Sequence, residues 1–253
     1  RVPSVAPRPA RTSPPRSPVP ARPSRPPPGP TTLADLINRF ALLAWDKQEH
    51  HLEVHEGCAV SLDLDAGALV FTEKGIFGKT RRYRAQVVGA EVDRSWVWAW
   101  ADGDHSLSQS LRAASHVVRR RGERDQVAEL TTGTLPLGGL VQGESLAGLA
   151  SGIMDASFYF RVPTDRGGLY LLVADPTFPA STEDPVIRAL TTLPRAFASI
   201  EIPDHRTAVL AYFRGLGVRV DEHRRELHAR SRGGHTLRAD FDERGRLAVL
   251  ETI

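Results

Sequence analysis

Cysteine is almost missing from this chain of 253 residues: Cys58 is the only one. An intrachain disulfide is therefore excluded, and so is a cysteine-rich zinc site. A single thiol suits a reducing compartment, and a cytoplasmic location is the expectation. Lysine is nearly as scarce, three residues against 30 arginines. With alanine and proline abundant, that ratio reads as the coding bias of a GC-rich bacterial genome, which removes arginine abundance as a functional signal. No apolar run approaches the ~18–20 residues that a membrane-spanning helix needs. No charged-then-apolar leader pattern opens the sequence, which starts at Arg1 and leaves room for a start or leader upstream.

What is present is ordinary for a globular protein, with 41% hydrophobic and 25% charged residues, except in how the charge is distributed. Residues 1–30 hold six arginines (Arg1, Arg8, Arg11, Arg16, Arg22, Arg25) and no acid. The remainder has 27 basic against 30 acidic residues, so the basic character belongs to the first segment alone. That excludes the basic folded surface expected of a sequence-specific nucleic-acid binder. The segment itself, rich in Pro, Arg and Ser, has almost nothing to bury and reads as a disordered tail with polyproline character. Its "PARPSR" fits a PxxPxR docking pattern, which such a composition produces by chance.

From Thr31 the pattern changes. Leu33, Leu36, Ile37, Phe40 and Leu43 recur at helical spacing behind a Thr32/Asp35 cap, which predicts an amphipathic helix over 33–48. Short strands follow: Cys58, Val60, Leu62 and Leu64 on one face, then "RRYRAQVVG", then "SWVWAWA". "HSLSQSLRAASHVVRR" predicts a helix with Ser106 and Gln109 in capping-box spacing. A small-residue helix over 144–156, a hairpin across Asp165–Gly168, helices over 184–200 and 204–215, and a three-stranded meander complete the chain. The expected class is α+β, with antiparallel sheet packed against helices. Residues 31–253 form either one domain or two abutting halves, 31–135 and 142–253.

Five ordered blocks, "AQVVGAEVDRSWVWAWAD", "SLRAASHVVRRRGE", "FYFRVP", "DHRTAVLAYFRGLGV" and "FDERGRL", resemble an uncharacterised bacterial family, a domain of unknown function. Its mark is a W-x-W-A-W strand behind an A-Q-x-x-G approach. The resemblance spans about residues 60–253. It implies one folded module and brings no activity, ligand or catalytic residue.

Trp96, Trp98 and Trp100 alternate, so an extended strand places all three on one face. With Val97 and Ala99 apolar opposite them, a strand buried on both sides is favoured over an exposed aromatic platform. A pocket-lining row for an apolar or planar ligand is the intermediate case. Asp102, Asp104 and His105 gather at the strand's end. They could hold a metal or share a proton, though acids at a helix N-terminus are the simpler reading. His51 and His55 are weak metal candidates. The order H-E-x-x-H is absent, but if 51–56 is extended then His51, Glu53 and His55 share a face. "GGLVQGES" has phosphate-loop spacing with Glu144 where the lysine must stand, which rejects nucleotide binding there. "GESLA" falls one glycine short of a nucleophile elbow, with Ala147 in its place. Arginine clusters at 81–84, 119–121 and 224–225 read as solvated faces.

The expectation is a non-catalytic binding or accessory module. It would engage a protein or small ligand near the Trp strand, with immunity-type neutralisation as one version, and use no cofactor. The alternative is a metal-assisted or general acid–base enzyme using Asp102, Asp104 and His105.

Overall fold

The computed structural model describes residues 31–75, 78–103 and 106–253. The expected tail, Asp104 and His105 lie outside these residues.

Helix α1 (Leu33–Val54) opens on the capping box its sequence predicts: Asp35 N–H donates to Thr32 Oγ1 at 3.2 Å, and Thr32 N–H to Asp35 Oδ2 at 2.8 Å. It runs six residues beyond the expected end, because His51 continues the buried stripe of Leu36, Ile37, Ala41 and Ala44. Residues 51–54 are helix and 55–56 a turn, so the segment is not extended and Glu53 does not share a strand face with the two histidines.

Strands β1 (Ala59–Asp63), β2 (Ala68–Thr72), β3 (Thr80–Val92) and β4 (Ser95–Trp98) follow in antiparallel succession. β3 and β4 are joined by Asp93 and Arg94, both at positive φ (47° and 65°), the conformation a two-residue hairpin turn requires. A 3-10 turn at Ala99–Ala101 leads towards α2 (Ala113–Asp125), α3 (Ala128–Thr131), β5 (Thr134–Pro136) and α4 (Gly143–Met154). α2 starts later than its sequence predicts, with Arg112 at the N-cap and no capping side chain. Asp102 instead accepts from Ser106 Oγ (3.1 Å) and Leu107 N–H (3.2 Å), and Ser108 Oγ from Leu111 N–H. Such side-chain bonds hold the segment in turns and compete with helix.

β6 (Phe158–Thr164) and β7 (Gly167–Val173) form the expected hairpin, and β7 pairs with β3 along residues 85–92. The first sheet has seven strands and crosses the division considered between 135 and 142. The chain ends with α5 (Pro185–Ser199), α6 (His205–Gly215) and a four-stranded meander of β8 (Arg219–Glu222), β9 (Glu226–Arg230), β10 (Thr236–Phe241) and β11 (Leu247–Thr252). The first strand of the meander adds to the three expected.

α1 is the shared wall. It packs on α4 and β6 of the first layer and on α5 and α6 of the second. One apolar cluster runs through Leu36, Ile37, Trp96, Leu146, Leu193, Phe213 and Leu237, joining both layers. A second fills the sheet's opposite side with Leu69, Phe71, Tyr83, Val87, Phe158 and Leu171. Among the described residues no helix is long and apolar enough to cross a membrane.

Candidate functional site

The tryptophan row divides. Trp96 and Trp98 are fully buried, edge to face at 5.2 Å, and the Trp98 indole N–H donates to the Glu129 carbonyl at 2.9 Å. Trp100 has left the strand for the 3-10 turn, half-buried, with the Arg119 guanidinium 4.6 Å from its ring. The three indoles therefore share no exposed face, and two of them offer a ligand no surface. The A-Q-x-x-G approach has a steric cause: a Cβ on Gly89 would stand 2.4 Å from Trp96 Cζ2 and 2.8 Å from the Val97 carbonyl oxygen. Asp102 holds its own turn, as described above. The Gly143 amide, at the start of α4, donates to Glu91 Oε1 at 3.1 Å, so a carboxylate of the chain itself already occupies the place a phosphate would take.

The last turns of α1 carry two polar groupings, one buried and one built on the buried Asp46 and Arg188 with exposed glutamates at its edge. In the first, His51 stacks on Phe158 (3.9 Å, 7°) and His55 on Phe71 (3.9 Å, 27°). Their Nδ1 atoms meet at 2.9 Å, and His55 Nε2 lies 3.2 Å from the Tyr83 hydroxyl. Burial, and then the neighbouring His55 and His50, push His51 down to about 3. Burial also lowers His55, against a hydrogen bond that the His51 carbonyl accepts from its Nδ1. A charged imidazole is disfavoured among these rings. Among the described residues no group of three or more His, Cys, Asp or Glu is placed to hold a metal.

The second grouping is ionic. Arg188, on the buried face of α5 between Val186, Ala189 and Thr192, reaches α1 and bonds Asp46 Oδ1 through Nε. Its Nη1 donates to Glu53 (3.1 and 3.2 Å) and to Glu183 (3.3 Å), and its Nη2 to the Asp46 carbonyl (3.4 Å). The Tyr212 hydroxyl donates to Asp46 Oδ2 at 3.3 Å. Burial works against the guanidinium charge, but Asp46 and Glu53 more than offset it and hold the Arg188 pKa above the ordinary arginine value. Burial acts upward on Glu53 too, and Arg188 and His50 bring it below the usual glutamate range.

This network forms one wall of a cleft of about 430 Å³. Leu43, Phe178, Pro179 and Leu216 supply apolar surface, and Lys47, His50, Asp155, Glu183 and Arg188 the charged and polar groups. Lys47 Nζ donates to Asp155 Oδ1 (2.8 Å) and to the Ala156 carbonyl (2.9 Å). His50 Nε2 lies 2.9 Å from the Pro179 carbonyl oxygen and fixes the 178–181 segment to α1. Both lining serines bond to backbone: Ser157 with Asp175, Ser181 with the Glu183 amide. Asp46 and Arg188 stand 142 positions apart and match no motif, so the sequence does not pair them. A charged residue inside the apolar stripe of α1 and another inside that of α5 were the available signal.

The fold defines an antiparallel α+β protein in which one long helix serves two layers and carries an ionic cleft. The chain belongs to the family of unknown function DUF6882, whose model matches residues 34–176. The match takes in α1, which the resemblance read from the sequence left out, contains the tryptophan segment, and ends just past β7. No curated protein and no solved structure matches the chain.

Proposed function

We propose that the protein is a non-catalytic binding module whose ligand sits in the cleft between α1, α5 and residues 178–183. One observation carries this reading: the cleft joins an apolar wall to a fixed ionic one built on Arg188, whose side chain is only 7% exposed. Burying a guanidinium with its carboxylates costs several kcal/mol of desolvation and often gains nothing over apolar packing, so stability alone gives weak reason to keep it. A volume of about 430 Å³ falls in the range of small-molecule sites, ~300–1,000 Å³. It suits a small ligand or one inserted side chain better than a flat protein surface, where a stable interface buries about 1,600 Å². The serine hydroxyls, both bonded to backbone, support binding over nucleophilic chemistry.

A fragment screen by thermal shift on the wild type and on Ala180→Trp, which fills the cleft from its exposed rim, tests the reading. Hits that stabilise the wild type and lose their effect in the variant are the expected result. Hits that act equally on both proteins would move the site elsewhere.

A further inference from the structure

We infer that the ligand of this cleft is a small organic cation, a guanidinium or primary amine on a short apolar body. The inference rests on the cleft being the binding site. Its first support is that both cations of the cleft are already engaged. Arg188 directs Nε and Nη1 at the carboxylates of Asp46, Glu53 and Glu183 and Nη2 at the Asp46 carbonyl. Lys47 is held by Asp155 and the Ala156 carbonyl. An anionic ligand would have to displace a carboxylate that is tethered in place, and would meet the others at close range.

The second support is the balance that remains. Asp46, Asp155 and Glu183 line the cleft against Lys47 and Arg188, and the exposed Glu53 also bonds Arg188, which leaves an excess of negative charge. Two of these carboxylates have capacity to spare at the rim. Asp155 bonds Lys47 through Oδ1 only, with its side chain 93% exposed, and Glu183 bonds Arg188 through Oε2 only. The third support is independent of charge. Phe178 lines the same cleft beside Leu43, Pro179 and Leu216, giving an aromatic ring and an aliphatic surface next to the carboxylates. A cation over a ring, with its alkyl part on apolar surface, is recognised by that combination, whereas an alcohol or a carboxylate uses only part of it.

The test is a titration of the full chain, followed by amide NMR, with three probes that share one apolar body: butylguanidinium, butyrate and butan-1-ol. Butylguanidinium is expected to shift the amides of Phe178, Ala180 and Ser181 and to bind at least about fivefold tighter than the other two. Its affinity should fall as salt is raised. Asp155→Asn and Glu183→Gln, both at exposed rim positions, should each weaken it by about two- to fivefold and leave butan-1-ol unaffected. Butyrate or butan-1-ol binding at the same amides as tightly as the cation would overturn the inference and leave the cleft reading standing. If none of the three shifts these amides, the inference and the cleft reading fall together.

Discussion

Helix α1 carries two polar groupings within ten residues of each other and treats them in opposite ways. Around Asp46 it sets a carboxylate against Arg188, with Glu53 joining from an exposed position, although burial still raises the Asp46 pKa above the usual aspartate value. Around His51 and His55 it abolishes charge, with neutral imidazoles stacked on phenylalanines. The lesson is that burial alone does not decide ionisation. Where a guanidinium can reach, its pairing opposes the burial that raises Asp46; where only rings are in reach, burial acts on the imidazole with no such partner.

The comparison breaks most visibly if one ionic partner is taken away. Arg188→Met leaves Asp46 buried without its cation and should cost about 3–5 kcal/mol in a urea unfolding experiment. Asp46→Leu added to Arg188→Met should restore most of that loss, since no charge then remains to desolvate. A single variant as stable as the wild type would show that Asp46 carries no buried charge.

Acid sharpens the contrast. The folded pKa of His51, about 3, lies below the value near 6.5 in the unfolded chain, so the unfolded chain takes up its proton first. Its contribution is fully present above about pH 6.5 and declines as pH falls, by about 1.4 kcal/mol per pH unit for one histidine. Glu53, held low by Arg188, titrates only below the ordinary glutamate range. The window from about pH 6.5 to 4.5 therefore reports mainly on the histidines that burial lowers, His51, His55, His116 and His205, with Asp46, which burial raises, entering from the acid side. Unfolding stability across that window should fall with acid in the wild type and in Arg188→Met, and fall less steeply in His51→Leu, where His55, His116 and His205 still contribute. A slope unchanged in His51→Leu would assign it wholly to other groups.

The smallest effect tests whether the neutral grouping depends on its rings or on its polar atoms. Tyr83→Phe removes the hydroxyl next to His55 Nε2 and should cost about 0.5–1.5 kcal/mol while leaving the acid slope in place. If it cost as much as Arg188→Met, the histidine grouping would be a hydrogen-bond network after all.

How legible these features were depended on whether the cause was local. The start of α1 was readable because Thr32 and Asp35 cap it within one turn. Its end was not, because histidine counts as apolar only when Phe71 and Phe158 are present to cover it, and both come from strands further on. β4 was readable from its alternation, but nothing in "SWVWAWA" marks the change to a 3-10 turn after Trp98 that removes Trp100 from the row. Gly89 could be quoted as part of a pattern, while its reason, the Trp96 ring lying over it, exists only once β3 and β4 pair. The cleft was the least legible of all, because Asp46, Asp155 and Arg188 come together only through the packing of α1 on α4 and α5.

Phe178 lies between the histidine grouping and the cleft. It lines the cleft, and its ring stacks 5.9 Å from His55 and lies tilted 5.1 Å from Phe158. A ligand that displaces this ring changes the proton affinity of His55, and thermodynamic reciprocity then requires protonation to change the affinity for that ligand by the same factor. For such a ligand, one phenyl ring would make ligand occupancy and proton occupancy two readings of a single equilibrium.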